Sequence, residues 1–434
     1  MGTHEAARGG RVAAATALTR AVAFAGVGGV CAACVAQPPG VGGRPASASA
    51  PLDWKSLESG VLTEHVQLTS REQFVKAGES YFSPDGAWVV FQAVPVPAGG
   101  AEADPFYSMY VMKLVREGDR IVGAESPILI SPPGSANTCG WFHPTLPGVV
   151  LLGSTIDRPK TDQKAGFQVG MRKYVWLFPD EMEVCERFVP EVAAAMGSPA
   201  SMWADDRRAT MVAPVFSRPQ YDAECSYSSD GRFVLYAHVR PQKAEERADA
   251  DIWIYDTRTR RHHPIVVADG YDGGPFFSPD GRRICYRSDR KLNDQLQIFV
   301  ADLRFDDEGV PVGIEREYAI TDNEAVNWAP YFHPSGKFLV YGTSQVSHSN
   351  YEVFAVELDA ATLAADSPAR PAAKSLRSAR LTSADGADVL PVFDPTGTWM
   401  MWTGQRGPRA EGEQRPSSQL WAARFNASGV RWAK

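Results

Sequence analysis

Polar side chains that could do chemistry recur at one kind of place along this 434-residue chain. Glu79, Asp222 with Glu224, Asp272, Asn327 and Asp388 each stand a few residues ahead of an aromatic or apolar residue and a tight turn. Asn137, Thr138 and Cys139 occupy the same place in one further copy. Carboxylates brought from separate strands to one confined mouth focus negative potential and recruit cations or polyhydroxylated ligands. Crowding also raises the pKa of at least one of them unless a cation, with Ca2+ the candidate, is bound. The competing reading is local, because Asp and Asn commonly brace their own loops. Glu79, Glu224 and Asp272 form the strongest trio, since they stand in the best-matching loops of separate copies.

Other catalytic constellations are missing from the sequence. There is no GxSxG nucleophile elbow. HExxH, a Walker A loop and a dinucleotide glycine pattern outside the N-terminal segment are likewise absent. No catalytic residue is assigned on these grounds. Beyond Cys31 and Cys34 near the N-terminus, Cys139, Cys185, Cys225 and Cys285 match no zinc-ligand spacing and read as small buried side chains rather than a disulfide framework.

The elements that must position these residues come from a repeat. Six copies of one phrase read YFSPDGAWVVFQ (from Tyr81), WFHPTLPGVVLLG (Trp141), SYSSDGRFVLYAH (Ser226), FFSPDGRRICYRS (Phe276), YFHPSGKFLVYGT (Tyr331) and VFDPTGTWMMWTG (Val392). Their turn glycines, Gly86, Gly148, Gly231, Gly281, Gly336 and Gly397, are separated by 62, 83, 50, 55 and 61 residues. Pro fixes φ in the turn while Asp and Gly tolerate left-handed conformations, so each phrase predicts a strand–turn–strand joint. Arg282 to Ser288 alternates polar and apolar residues, as in a half-buried strand. A third strand recurs, as in Leu296 to Leu303, and a fourth, as in Arg316 to Thr321. Four strands per unit and six units predict an all-β, six-bladed β-propeller. An extra fourth-strand copy, Val66 to Thr69, is expected to pair with Ser418 to Phe425 and close the ring; Gly429 to Ala433 is the alternative closer.

Residues 269–303, with Tyr271-Asp272, Ser278-Pro279-Asp280-Gly281 and Ser288-Asp289-Arg290, carry a phrase similar to the WD40-like propeller repeat of the TolB family. The other copies resemble it in part, departing at Ser229, Ser335, Thr396 and Leu146-Pro147. The resemblance covers about residues 65–425 and implies, by analogy, a binding role near envelope assembly or transport. TolB's own N-terminal α/β domain has no counterpart here. Some propeller lyases acting on pectic sugars resemble this repeat and use a His-ligated metal. That implies a second reading, a metal-dependent polysaccharide lyase or hydrolase acting at the channel mouth. The histidines give it little support: His143 and His333 occupy the turn Ser position, where local hydrogen bonds suffice. His262-His263 sit on a blade connection, and His238 and His348 follow strands of different blades.

At the N-terminus, Arg8, Arg11 and Arg20 precede the apolar run Ala21 to Ala36, which reads as a signal peptide over residues 1–36. The run is short of the ~20 residues a membrane span needs. A lipoprotein reading through Cys31 or Cys34 lacks the large aliphatic residue three positions ahead. Residues 37–64 read as a disordered Pro/Gly/Ser/Ala-rich tether and lead-in, and 65–434 as the propeller. A long insertion at about 154–220 carries Tyr174, Trp176, Phe178 and Trp203 and offers a second binding surface. A net charge of −7 without a basic stripe excludes a general nucleic-acid binder. The expectation is an exported, monomeric, non-catalytic propeller of the periplasm or cell envelope. It would dock an envelope protein, peptide or glycan on its channel face, with no transmembrane span in the mature chain.

Overall fold

The computed structural model describes residues 21–23, 52–160, 166–168, 173–198, 211–240, 249–365 and 372–433. Six antiparallel sheets follow one another along the chain, and in the first five the strands are paired in sequence order from the axis outward. The six innermost strands are Phe74–Phe82, Asn137–Phe142, Asp222–Tyr227, Asp272–Phe277, Asn327–Phe332 and Asp388–Phe393. The ring is closed by the N-terminal segment: Leu62–Gln67 is the outer strand of the sixth blade, with Leu62 opposite Phe425 and Gln67 opposite Trp421. The alternative closer lies elsewhere, since Ala433 bridges to Ser378 on the fifth blade.

Each turn phrase forms for a local reason. In SPDG, the Ser83 hydroxyl accepts from Trp88 N and donates to Asp85, whose carboxylate accepts from Ala87 N. Ser228 with Asp230, and Ser278 with Asp280, repeat this pattern. His143 and His333 replace the Ser by accepting turn amides through Nδ1. Each imidazole also fills the space beside the next blade's turn glycine, Gly231 and Gly397, where a Cβ would come within 2.4 Å of the ring.

The second strands are buried on both faces because each blade is packed between two neighbours, so Val149–Ser154, Phe233–Val239 and Trp399–Gly404 are buried throughout. The half-buried alternation expected for Arg282 to Ser288 therefore does not hold. Ile284 to Ser288 are all buried, Arg287 included. Fourth strands also shift from their expected places: Pro311–Ala319 starts ahead of Arg316, and the second blade ends in the short Ala213–Pro214.

The lead-in is ordered further forward than expected. A helix, Trp54–Glu58, is capped by Asp53 and runs into the closing strand, so the boundary at residue 64 falls inside the ring. Residues 37–50, and nearly all of 1–36, lie outside the described residues. Within the insertion, Ala193 of the helix Pro190–Ala195 packs on the second blade beside Val149 and Phe188. Gly166–Gln168 and Lys173–Leu177 pair as strands, with Ala21–Ala23 added to the same small sheet.

Candidate functional site at the channel mouth

All six inner strands carry the same irregularity. The register against the second strand shifts after Gly78, Thr138, Ala223, Gly273, Trp328 and Val389. The residue that follows has positive φ in every blade: Glu79 (42°), Cys139 (49°), Glu224 (57°), Gly274 (57°), Ala329 (52°) and Leu390 (56°). A bulge of this kind re-aims a side chain. Here it turns these six toward the axis, so the channel wall is polar on blades one to three and small or apolar on blades four to six.

Two residues further along each strand stand Tyr81, Trp141, Ser226, Phe276, Tyr331 and Val392. The four aromatics meet on the axis, with centroids 5.1 Å apart for Tyr81–Trp141, 5.5 Å for Tyr81–Phe276 and 5.4 Å for Phe276–Tyr331. Tyr81 and Phe276 come from blades on opposite sides of the ring, and only the axis lets them touch. They close the axis two residues beyond the bulge positions, and Glu79, Trp141, Phe276 and Tyr331 keep partial exposure around it. The leading aromatic of the repeated phrase therefore has a second role besides marking the turn.

Above the floor, Glu79 and Glu224 meet but are held differently. Glu224 accepts from Tyr271 Oη at 2.6 Å, Gly274 N at 2.6 Å and Arg287 Nη2 at 2.9 Å. Gly273 and Gly274 make room for this group, since a Cβ on Gly274 would lie 2.0 Å from Arg287 Nη1. Glu79 receives Cys139 Sγ at 2.9 Å and Tyr81 Oη at 3.2 Å, both on Oε1. Its Oε2 has no hydrogen bond among the described residues, and the side chain keeps partial exposure to the lumen. Burial pushes the Glu79 carboxyl up, as does Glu224, against the pull of Cys139 and Arg287. Burial also raises Cys139 and Tyr271. Burial works against the Arg287 cation, but Tyr271, Glu224 and Glu79 outweigh it and hold the guanidinium protonated.

The remaining expected residues brace their own blades. Asp222 accepts from His238 Nδ1 at 2.8 Å. Asn327 accepts from Thr343 Oγ1 at 2.7 Å and donates to Asn323 Oδ1 at 2.8 Å. Asp272 pairs with Arg290 at 3.1 Å, and burial pushes its pKa up to about 6. Asp388 pairs with Arg406 at 2.5 Å, and burial raises it as well. Asn137 donates to Tyr107 O at 2.9 Å. These residues begin the inner strands, two positions ahead of the bulge, whereas Glu79 and Glu224 occupy the bulge itself. The sequence ring thus merges two structural rings, and Asp272 does not join Glu79 and Glu224 in one cluster. Among the described residues no group of three or more His, Cys, Asp or Glu side chains is placed to hold a metal ion.

Arg287, Tyr271 and the aromatic floor escaped the sequence reading. An Arg in a strand reads as solvent-facing, and the one available signal was Gly273-Gly274, which marks a close approach. From the insertion, Phe178 reaches the mouth, packing 5.0 Å from Tyr221 and 5.8 Å from Tyr271. The side chains of Tyr174 and Trp176, and the whole of Trp203, lie outside the described residues. Cys139, Cys185, Cys225 and Cys285 are buried and free.

No family model matches the chain, and no curated protein matches it. Among solved structures it is similar to a putative TolB from Agrobacterium tumefaciens (14% identity over 81% of this chain and 91% of that one, TM-score 0.43). It is also similar to TolB from Acinetobacter baumannii (16%, 80% and 67%, 0.43). A third is an oligogalacturonate lyase from Vibrio parahaemolyticus (11%, 85% and 96%, 0.42). The strand pairing and the six phrases establish the fold without them: the chain is a six-bladed β-propeller.

Proposed function

We propose that this chain is a binding propeller of the periplasm or cell envelope that docks a protein, peptide or glycan in the socket at its channel mouth. The observation that carries the reading is the socket itself: an open carboxylate oxygen on Glu79, above four aromatic rings that close the axis. Glu79 keeps partial exposure and its Oε2 has no hydrogen bond among the described residues, so that oxygen is free to accept from a ligand. Phe178 at the rim gives a partner an aromatic contact. Export is part of the proposal and rests on the basic-then-apolar N-terminal sequence. Among the described residues no helix is long and apolar enough to cross a membrane.

The test compares wild type with Glu79→Gln/Trp141→Ala, matched for folding by circular dichroism, in affinity capture from envelope extract. Species retained by wild type and lost by the variant support the socket. Identical retention moves the binding face to the insertion around Phe178. Intact-mass measurement checks export, with a start between about Ala32 and Pro38 expected.

A further inference from the structure

We propose that the socket takes an organic cation, the ammonium or guanidinium end of a Lys or Arg side chain presented by a peptide or protein partner. This rests on the channel mouth being the binding face and names the chemistry that the face selects. Glu224 and Arg287 form an ion pair at 2.9 Å and cancel one another. Tyr271 is bonded to both. Glu79 is then the carboxylate whose charge is not matched within the socket, and its Oε2 is open. The hydrogen bonds from Cys139 and Tyr81 both fall on Oε1, which fixes the carboxylate and leaves Oε2 without a hydrogen bond among the described residues.

The surroundings suit a cation on an apolar stem. The floor of Tyr81, Trp141, Phe276 and Tyr331 presents π-systems, which attract ammonium and guanidinium groups over their faces. On the fifth blade and on the sixth, which adjoins the blade of Glu79, the bulge positions hold Ala329 and Leu390, which offer no polar side chain, and Leu390 can pack against a methylene chain. An anionic ligand would have to compete with Glu224 for Arg287 and approach Glu79. A sugar would find donors and acceptors on one wall only. A charged head beside Glu79, with its stem along Leu390, satisfies both halves of the lumen.

Titration calorimetry with blocked tripeptides Gly-Lys-Gly, Gly-Arg-Gly, Gly-norleucine-Gly and Gly-Nε-acetyllysine-Gly reads this directly. The Lys and Arg peptides are expected to bind wild type about tenfold or more tighter than the two neutral ones, which keep the stem without the charge. Glu79→Gln should erase that preference while the neutral peptides bind as before. Lys and norleucine peptides of equal affinity, or a Glu79→Gln variant that retains the preference, would overturn the proposal. Because the wild-type comparison needs no variant, the proposal stays decidable even if Glu79→Gln does not fold. Binding of a neutral oligosaccharide or acidic peptide that Trp141→Ala abolishes would refute the cation and keep the mouth as the binding face. No binding of any probe at millimolar concentration would overturn both.

Discussion

Replacing Glu58 by Ala tests what holds the ring shut. Glu58 ends the helix that leads into the closing strand, and its carboxylate accepts from Arg406 Nη2 at 2.7 Å, Arg406 Nη1 at 2.8 Å, His65 Nε2 at 2.9 Å and Ser383 N at 2.6 Å. Both side chains of the Glu58–Arg406 pair are 0% exposed. The guanidinium lies 4.4 Å from the Trp54 ring and 4.9 Å from Trp402, so the N-terminal helix and the sixth blade enclose it from both sides. Arg406 keeps its pair with Asp388, so the cost is that of the four hydrogen bonds that end on the buried Glu58 carboxylate. Each buried donor left unsatisfied costs roughly 1–3 kcal/mol, part of it relieved by relaxation, so the loss should be about 3–5 kcal/mol. At about 2 °C per kcal/mol for a long chain, Glu58→Ala should melt roughly 6–10 °C lower. The exposed pair Lys113–Glu125, 43% and 56% exposed, supplies the control; Glu125→Ala should change stability by ~0–1 kcal/mol. Hydrogen exchange should localise the loss to Leu62–Gln67 and its partner strand. Burial raises the Glu58 carboxyl, but His65, Arg406 and Ser383 outweigh it and hold the pKa below its ordinary value. Its contribution is therefore present above that ordinary value and fades as pH falls through the folded pKa, so wild type and Glu58→Ala should converge in acid. A Glu58→Ala melt within about 1 °C of wild type at neutral pH would refute the argument.

Two further outcomes follow from buried groups elsewhere. Burial and the nearby Asp388 push Glu352 up to about 7, above its ordinary 4.5, so folding loses stability as pH rises across that window. Glu352→Gln, which keeps one acceptor oxygen for either Thr382 or Arg380, should gain on wild type between those pH values in parallel thermal melts, and a constant gap would count against it. Gly274→Ala puts a methyl 2.0 Å from Arg287 Nη1 at φ +57°. Its cost should reach about 3–5 kcal/mol through displacement of Arg287 from Glu224, measured by urea unfolding. A loss under about 0.5 kcal/mol would show that the pair adapts.

Bulges in every inner strand, at the third residue in blades two to six, explain why acids of similar sequence context have different roles. Asp222 and Glu224 stand two apart, yet one binds His238 inside its blade and the other meets Arg287 from the next. Simple alternation would send both to the same face. The bulge turns only the second one to the axis, and in the first blade it singles out Glu79 in the same way.

What the sequence determined was local and repeated. Ser-Pro-Asp-Gly specifies a turn because Ser83 and Asp85 bond amides within five residues of themselves, and six such turns with four strands apiece leave a closed propeller as the architecture. Val66 and Gln67 could be read as a closing strand because they copy a fourth strand that blade six lacks. Tertiary structure decided everything that joins distant residues. Glu58 and Arg406 are 348 residues apart, and no local pattern announces their pairing. Tyr81 touches Phe276 only because ring closure brings opposite blades to the axis. Which carboxylate has a cation beside it was settled there too: Asp272 meets Arg290 and Asp388 meets Arg406, while Glu79 is held by Cys139 and Tyr81 and keeps partial exposure. Turn chemistry depends on neighbours in the chain, whereas the polarity of a socket depends on which side chains from other blades arrive to fill it.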